Sequence, residues 1–150
     1  MQHNFDKHAV KANEFLHKVA NNLGDKEDLV KAERVLKAVL HALRNRLSVE
    51  ESFQFMAQLP LIIKAIYVDG WKFSKEFVRI KHLEEFIEEV YREAGKTASV
   101  DFETESSALK SISSVFSAIK NQVSKGEVDH IKAVFPKELK QLWDEPILTI

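Results

Sequence analysis

Leu43-Arg44-Asn45-Arg46-Leu47-Ser48-Val49-Glu50-Glu51 is the stretch on which the fold turns, because it returns 76 residues later as Ile119-Lys120-Asn121-Gln122-Val123-Ser124-Lys125-Gly126-Glu127. In each copy a Pro follows the Ser by twelve residues, at Leu59-Pro60 and Phe135-Pro136, and a Glu follows it by three. Ser-x-x-Glu is the pattern of a capping box, in which the hydroxyl accepts from a free backbone amide and the carboxylate reaches back to the cap. Pro is tolerated as the first residue of a helix, where no amide donor is required of it. The shared spacing predicts a duplicated supersecondary unit.

Outward from both copies, apolar residues recur at helical spacing, and 4 Gly and 3 Pro leave few breaks in 150 residues. Phe5, Ala12, Phe15, Leu16, Val19 and Leu23 share one face of a first helix closed by Gly24. Leu29, Ala32, Leu36, Val39, Leu40, Leu43 and Leu47 stripe a second, with Asp25 or Asp28 as its N-cap. Ser48 and Glu51 start a third helix, and Pro60 opens a short fourth that ends at Asp69-Gly70. The plan then repeats. Leu83, Phe86, Ile87, Val90 and Tyr91 stripe a fifth helix ending at Gly95, and Leu109, Ile112, Val115, Phe116, Ile119 and Val123 a sixth. Ser124 with Glu127 caps a seventh, and Pro136 opens an eighth containing Leu139, Leu142 and Trp143. The fold class expected is all-α: about eight helices in two tandem-duplicated four-helix units, docked face to face as one domain over residues 1–150. The units span about 5–70 and 81–146, with a connector at 71–80, an inserted loop at 96–102 and an irregular tail from 145.

A net charge of −1 and a pI near 6.6 give no global footprint for nucleic acid or an anionic membrane. The absence of cysteine removes disulfides, thiolate metal sites and cysteine nucleophiles. Apolar runs such as Leu61-Ile62-Ile63 are far shorter than a membrane span, and the N-terminus lacks the basic and apolar regions of a signal peptide. A cytoplasmic protein is the expectation.

Positions where the two copies differ in polarity carry more information than those that agree. Phe53, Met56, Leu61, Ile62, Ala65 and Val68 stand opposite Asp129, Lys132, Lys137, Glu138, Gln141 and Asp144, whereas Ile63/Leu139 and Ile66/Leu142 stay apolar in both. The first unit therefore carries an additional apolar face, centred on Phe53, Met56, Leu61, Ile62 and Val68. Large bare apolar patches are rare on monomers, so most of this face is expected beneath the second unit, with a remainder for a partner or a second copy.

Val39-Leu40-His41-Ala42-Leu43-Arg44-Asn45-Arg46-Leu47, Ala57-Gln58-Leu59-Pro60 and Tyr67-Val68-Asp69-Gly70-Trp71 together resemble the bacterial family catalogued as domain of unknown function 2267, over about residues 15–143. The resemblance implies a small, cytoplasmic, all-helical bacterial protein without an assigned activity, and it brings no catalytic residue with it.

Motifs for chemistry are sparse. The six histidines include no pair at zincin spacing, and Glu14-Phe15-Leu16-His17 supplies one of the two Glu-x-x-His motifs that a di-metal bundle requires, so neither a metal nor a cofactor is expected. Glu84, Glu85, Glu88, Glu89 and Glu93 read as a solvated helix face with local pairs to Arg92. No nucleophile elbow or phosphate loop is present. Arg44-Asn45-Arg46 is the most basic element, and cations at a helix C-terminus complement its dipole.

One constellation remains as a candidate binding site: Arg44, Arg46, Gln58, Tyr67 and Trp71, since Trp and Arg are frequent at binding hot spots. Its architectural reading is that Trp71 plugs the seam between units while Gln58 satisfies a backbone group there. The function expected is a non-enzymatic module that binds a protein partner or a second copy, with no nucleic acid and no membrane. The alternative is a ligand-binding or enzymatic domain with a pocket at the seam between the units.

Overall fold

The computed structural model describes residues 4–72 and 80–147. Nine α-helices occur among them and no strand: α1 Asn4–Leu23, α2 Leu29–Arg44, α3 Val49–Met56, α4 Leu61–Val68, α5 Leu83–Ala94, α6 Ala98–Asp101, α7 Glu105–Gln122, α8 Lys125–Ala133 and α9 Lys137–Asp144. Eight of them are eight residues or longer, as the periodicity predicts. The ninth, α6, follows a 3-10 turn at Gly95–Thr97, so the segment expected as an inserted loop is helical. It is held by Asp101, a buried carboxylate that accepts two hydrogen bonds from Arg34 of α2, both at 2.9 Å. Local spacing cannot reveal this pair, because its members lie 67 residues apart.

Helix ends follow side-chain chemistry. Asp28 rather than Asp25 caps α2, accepting from the Lys31 amide at 3.0 Å. Gly24, Gly70 and Gly95 take the positive φ that breaks the chain after α1, α4 and α5. Pro60 and Pro136 occupy the cap position itself, so α4 and α9 begin one residue later than the pattern suggests. The connector reading at 71–80 falls mostly on 73–79, outside the described residues; of the tail, 145–147 are irregular as expected and 148–150 lie outside the described residues.

The helices interlock rather than forming two closed units set side by side. α5, the first helix of the second unit, packs chiefly on α2 of the first, and α1 packs on α7 as well as on α2. α4 closes onto α2, α9 onto α7, and α3 meets α8. The core lies between these layers and is rich in aromatic contacts: Phe86 with Phe116 and Phe135 at 6.0 and 5.8 Å, Phe116 stacked on Trp143 at 4.0 Å, and Phe55 edge-on to Tyr67 at 5.5 Å. Phe5, expected on the buried face of α1, is exposed instead, because it is the second residue of the helix, about two turns before the buried stripe that begins at Ala12.

The two Ser caps differ in a way the shared motif conceals. Ser48 forms the complete box: its Oγ accepts from the Glu51 amide at 3.1 Å, and Glu51 accepts from the Ser48 amide at 2.9 Å. Ser124 accepts from the Glu127 amide at 3.2 Å, but its own amide donates to Gln58 Oε1 at 2.6 Å, and Gln58 Nε2 donates to its hydroxyl at 3.3 Å. Gln58, at the end of the α3 corner, thus completes the cap of α8 from the other unit. The displaced Glu127 carboxyl is buried, and that burial pushes its pKa up, aided by the nearby Glu51 charge and opposed by His130. The expectation of two identical boxes is corrected on this point.

Ser48→Ala and Ser124→Ala are each expected to lower the unfolding free energy by about 0.5–2 kcal/mol. Chemical denaturation of both variants checks this, and neutrality of the pair would remove the capping assignment.

Candidate functional site

Arg44 is the centre of the predicted constellation, and it is buried. It stands in the last turn of α2, where a long cationic side chain can reach free carbonyls of a neighbouring helix end. Its Nη1 donates to the carbonyls of Tyr67 and Asp69, both at 2.9 Å, at the C-terminus of α4. From the preceding turn of α2, His41 Nε2 lies 2.7 Å from the Ile66 carbonyl and, with the nitrogen protonated, donates to it. Two α2 side chains therefore bind three carbonyls at the C-terminal end of α4, and the guanidinium serves the dipole of α4 rather than that of its own helix, as the basic run alone would suggest. The half-buried Trp71 ring covers the guanidinium, with its centroid 5.8 Å from Cζ, and it stands edge-on to Tyr67 at 6.0 Å and tilted to Phe53 at 6.4 Å.

The same latch occurs in the second half. Lys120 Nζ donates to the Trp143 carbonyl at 2.5 Å, across the same 23-residue separation as Arg44 to Tyr67. Tyr67 and Trp143 occupy corresponding places, and both side chains are fully buried. The Tyr67 hydroxyl pairs with Ser52 Oγ at 2.7 Å, and burial raises its pKa far above the ordinary phenol range.

Arg46 and Asn45 turn the other way, into the α2–α5 seam. Asn45 Nδ2 donates to Glu89 Oε1 and Glu93 Oε2, both at 2.7 Å, and Arg46 Nη2 to Glu89 Oε2 at 2.6 Å, with Arg92 joining the same oxygen. Glu89 is buried, so its reading as part of a solvated face is corrected: tertiary contact with α2 converts it into the hub of a charge-assisted network. Glu93 also lies 3.7 Å from His41 Nδ1. Burial lowers the His41 pKa, against the raising effect of the Ile66 carbonyl; the Arg44 charge lowers it further, Glu93 raises it and Lys37 lowers it.

The structure thus joins Arg44, Tyr67 and Trp71, places Arg46 around the helix in the seam, and sends Gln58 to the Ser124 cap. The polar contacts of Arg44, Arg46, Gln58 and Tyr67 run to backbone carbonyls, a carboxylate, and a backbone amide and hydroxyls of the chain itself, while Trp71 packs through its ring. Sequence reading missed Glu89 and Glu93 as seam partners of Asn45 and Arg46, since their own helix supplies nearer cations. It also missed a second Glu-x-x-His, Glu127 to His130; the two side chains lie 3.9 Å apart, while Glu14 and His17 sit on the distant α1. No group of three or more His, Asp or Glu side chains is arranged to hold a metal ion among the described residues.

The extra apolar face overturns its expected burial. Met56 is 8% exposed, but Phe53, Leu61, Ile62 and Val68 are 56%, 51%, 39% and 40% exposed, so the second unit does not cover most of it. Leu61, Ala65 and Val68 form one outward stripe of α4 with Ile62 beside it, as side chains three and four apart must. Corresponding positions of the second unit are also at the surface, yet polar, and there Lys132 Nζ pairs with Asp144 at 2.5 Å. The same place in the architecture is solvated in one unit and apolar in the other.

A family model described as "Uncharacterized conserved protein (DUF2267)" matches residues 12–142. The chain belongs to the DUF2267 family. No curated protein matches it. The matched span runs from the buried face of α1 into α9, and so includes the Arg44 latch, the Glu89 seam and the apolar face of α4, and stops one residue short of Trp143. Among the described residues of this DUF2267 chain no helix is long and apolar enough to cross a membrane.

Arg44→Met should cost roughly 2–3 kcal/mol in urea denaturation, because it strands two carbonyls at a buried helix end, and Lys120→Met, at a more exposed site, about 0.5–1.5 kcal/mol. An equal, negligible effect of both would remove the latch. The lowered His41 pKa makes its stabilising contribution complete above the unfolded value of about 6.5 and lost as pH falls through the folded value. Wild type should therefore lose more stability than His41→Gln as the solution is acidified below about pH 6.5, which parallel thermal melts at neutral and acid pH will check.

Proposed function

We propose that this chain is a non-enzymatic protein-binding module whose outer α3–α4 face docks a protein partner or a second copy of itself. One observation carries the reading: Phe53, Leu61, Ile62 and Val68 stand exposed where the matching surface of the second unit carries Asp129, Lys137, Glu138 and Asp144. Leaving such side chains wet forgoes roughly 1.5–3 kcal/mol each, so a surface that retains them gains by being covered. α4 is also firmly seated, since His41 and Arg44 hold its C-terminus, and a rigid helix presents an apolar stripe at little ordering cost on association. We further propose that the two halves descend from one duplicated unit in a cytoplasmic protein, which is supported by the paired Ser caps, prolines and carbonyl latches.

The enzymatic or ligand-binding alternative has less support. In the α2–α5 seam the polar side chains converge, but they converge on one another: Asn45, Arg46 and Arg92 on Glu89, and Asn45 on Glu93. Groups already paired in this way offer little to a substrate.

Ile62→Glu and Val68→Glu should keep the helical circular dichroism and the melting temperature of the parent while abolishing association, read by light scattering for self-association and by affinity capture for a partner. Variants that melt well below the parent would assign these side chains to the core, and unchanged association would remove the docking face.

A further inference from the structure

A cleft of about 540 Å³ opens between α1 and the corner joining α3 to α4. Lys7, Lys11 and Lys18 line its α1 wall, and Lys64 of α4 stands on the other side. Glu14 is the carboxylate among these cations, in a chain whose net charge is −1, so the local positive excess is not a general bias of composition. None of the four lysines makes an ion pair with a described residue, whereas Arg34, Arg46 and Lys132 elsewhere are each held by a carboxylate. The three α1 lysines share one helix face over about 16 Å, from the 1.5 Å rise per residue. The floor is apolar: Phe15, Leu59 and Pro60. Leu61 lies at the mouth of the cleft and is also the first residue of the exposed Leu61–Ala65–Val68 stripe, so the cationic wall and the apolar face form one continuous surface.

We propose that this surface takes an acidic amphipathic helix of a partner protein, whose apolar side lies on α4 while its carboxylates meet Lys7, Lys11, Lys18 and Lys64. The inference rests on the α3–α4 face being a docking surface and adds the charge and shape of what docks there. Ammonium groups spread over about 16 Å match carboxylates on roughly three turns of helix, whereas a single phosphate would engage one or two of them. Single-stranded nucleic acid binding relies on aromatic platforms for base stacking, and the aromatic residue on this floor, Phe15, is 2% exposed. A bilayer is flat, while here Lys64 opposes the α1 lysines across a concavity.

The probe is a fluorescein-labelled synthetic helix of about 18 residues with Leu on one face and Glu on the other, compared with its Leu/Lys counterpart and a scrambled acidic peptide. Fluorescence anisotropy with the full chain should give binding of the acidic amphipathic peptide alone, weakening as salt rises. Lys11→Glu with Lys64→Glu should weaken it by at least about tenfold, and Val68→Glu should weaken it as well. Circular dichroism melting verifies that these surface variants remain folded. Equal binding by the lysine-reversed variant, equal binding of the basic or scrambled peptide, absence of binding, or preferential capture of anionic vesicles or an oligonucleotide would each overturn the proposal. If Val68→Glu abolishes binding and lysine reversal does not, the acidic partner falls and the docking face stands; if lysine reversal abolishes it and Val68→Glu does not, the docking face falls.

Discussion

A cation at the end of a long helix, donating to a carbonyl at the end of a short one, is the constraint on which this structure depends. The last carbonyls of a helix have no partner within it, and burying them unpaired is costly. Arg44 and His41 supply those partners for α4, and Lys120 supplies one for α9. Each short helix is thereby fixed to the helix two elements before it, and the large aromatic at its end, Tyr67 or Trp143, is carried into the core. The latch couples a hydrogen bond to apolar burial, so the position of α4 is settled from two sides at once.

With α4 and α9 held, the remaining joints lie between the halves. Asp101 is bound by Arg34, Glu89 by Asn45, Arg46 and Arg92, and the Ser124 amide by Gln58. All three link residues from opposite halves of the chain. Removing the cations from Asp101 or Glu89 leaves a desolvated carboxylate, so these joints enforce a single arrangement even where their net contribution to stability is modest. Arg44 belongs to the same internal framework, since its Nη1 is held by the Tyr67 and Asp69 carbonyls.

Surface chemistry then separates the halves. The outer side of α8–α9 is charged and neutralised locally, as in Lys132 with Asp144, while that of α3–α4 keeps exposed Phe53, Leu61, Ile62 and Val68 beside a lysine-lined cleft. Two halves with similar helix-end chemistry can share one scaffold and differ in what their outer faces attract, because exposed positions constrain folding little.

The sequence by itself determined the eight longer helices, several of their caps and most of the core, because these depend on periods of three and four residues and on chemistry within one turn: Ser48 with Glu51, Gly24 after α1, the stripe from Ala32 to Leu43. The asymmetric apolar face was also legible, from comparing Phe53, Leu61, Ile62 and Val68 with their polar counterparts. Only the tertiary structure decided that this face is open. It also placed Glu89 in the interior, made Gln58 the cap of another helix and set Lys64 opposite Lys7, Lys11 and Lys18. Each of these depends on residues far apart in the chain, and the spacing within one helix is the same whether a carboxylate meets water or an arginine on a neighbouring helix. Local chemistry chooses the helices, and long-range packing chooses which of their faces remain available.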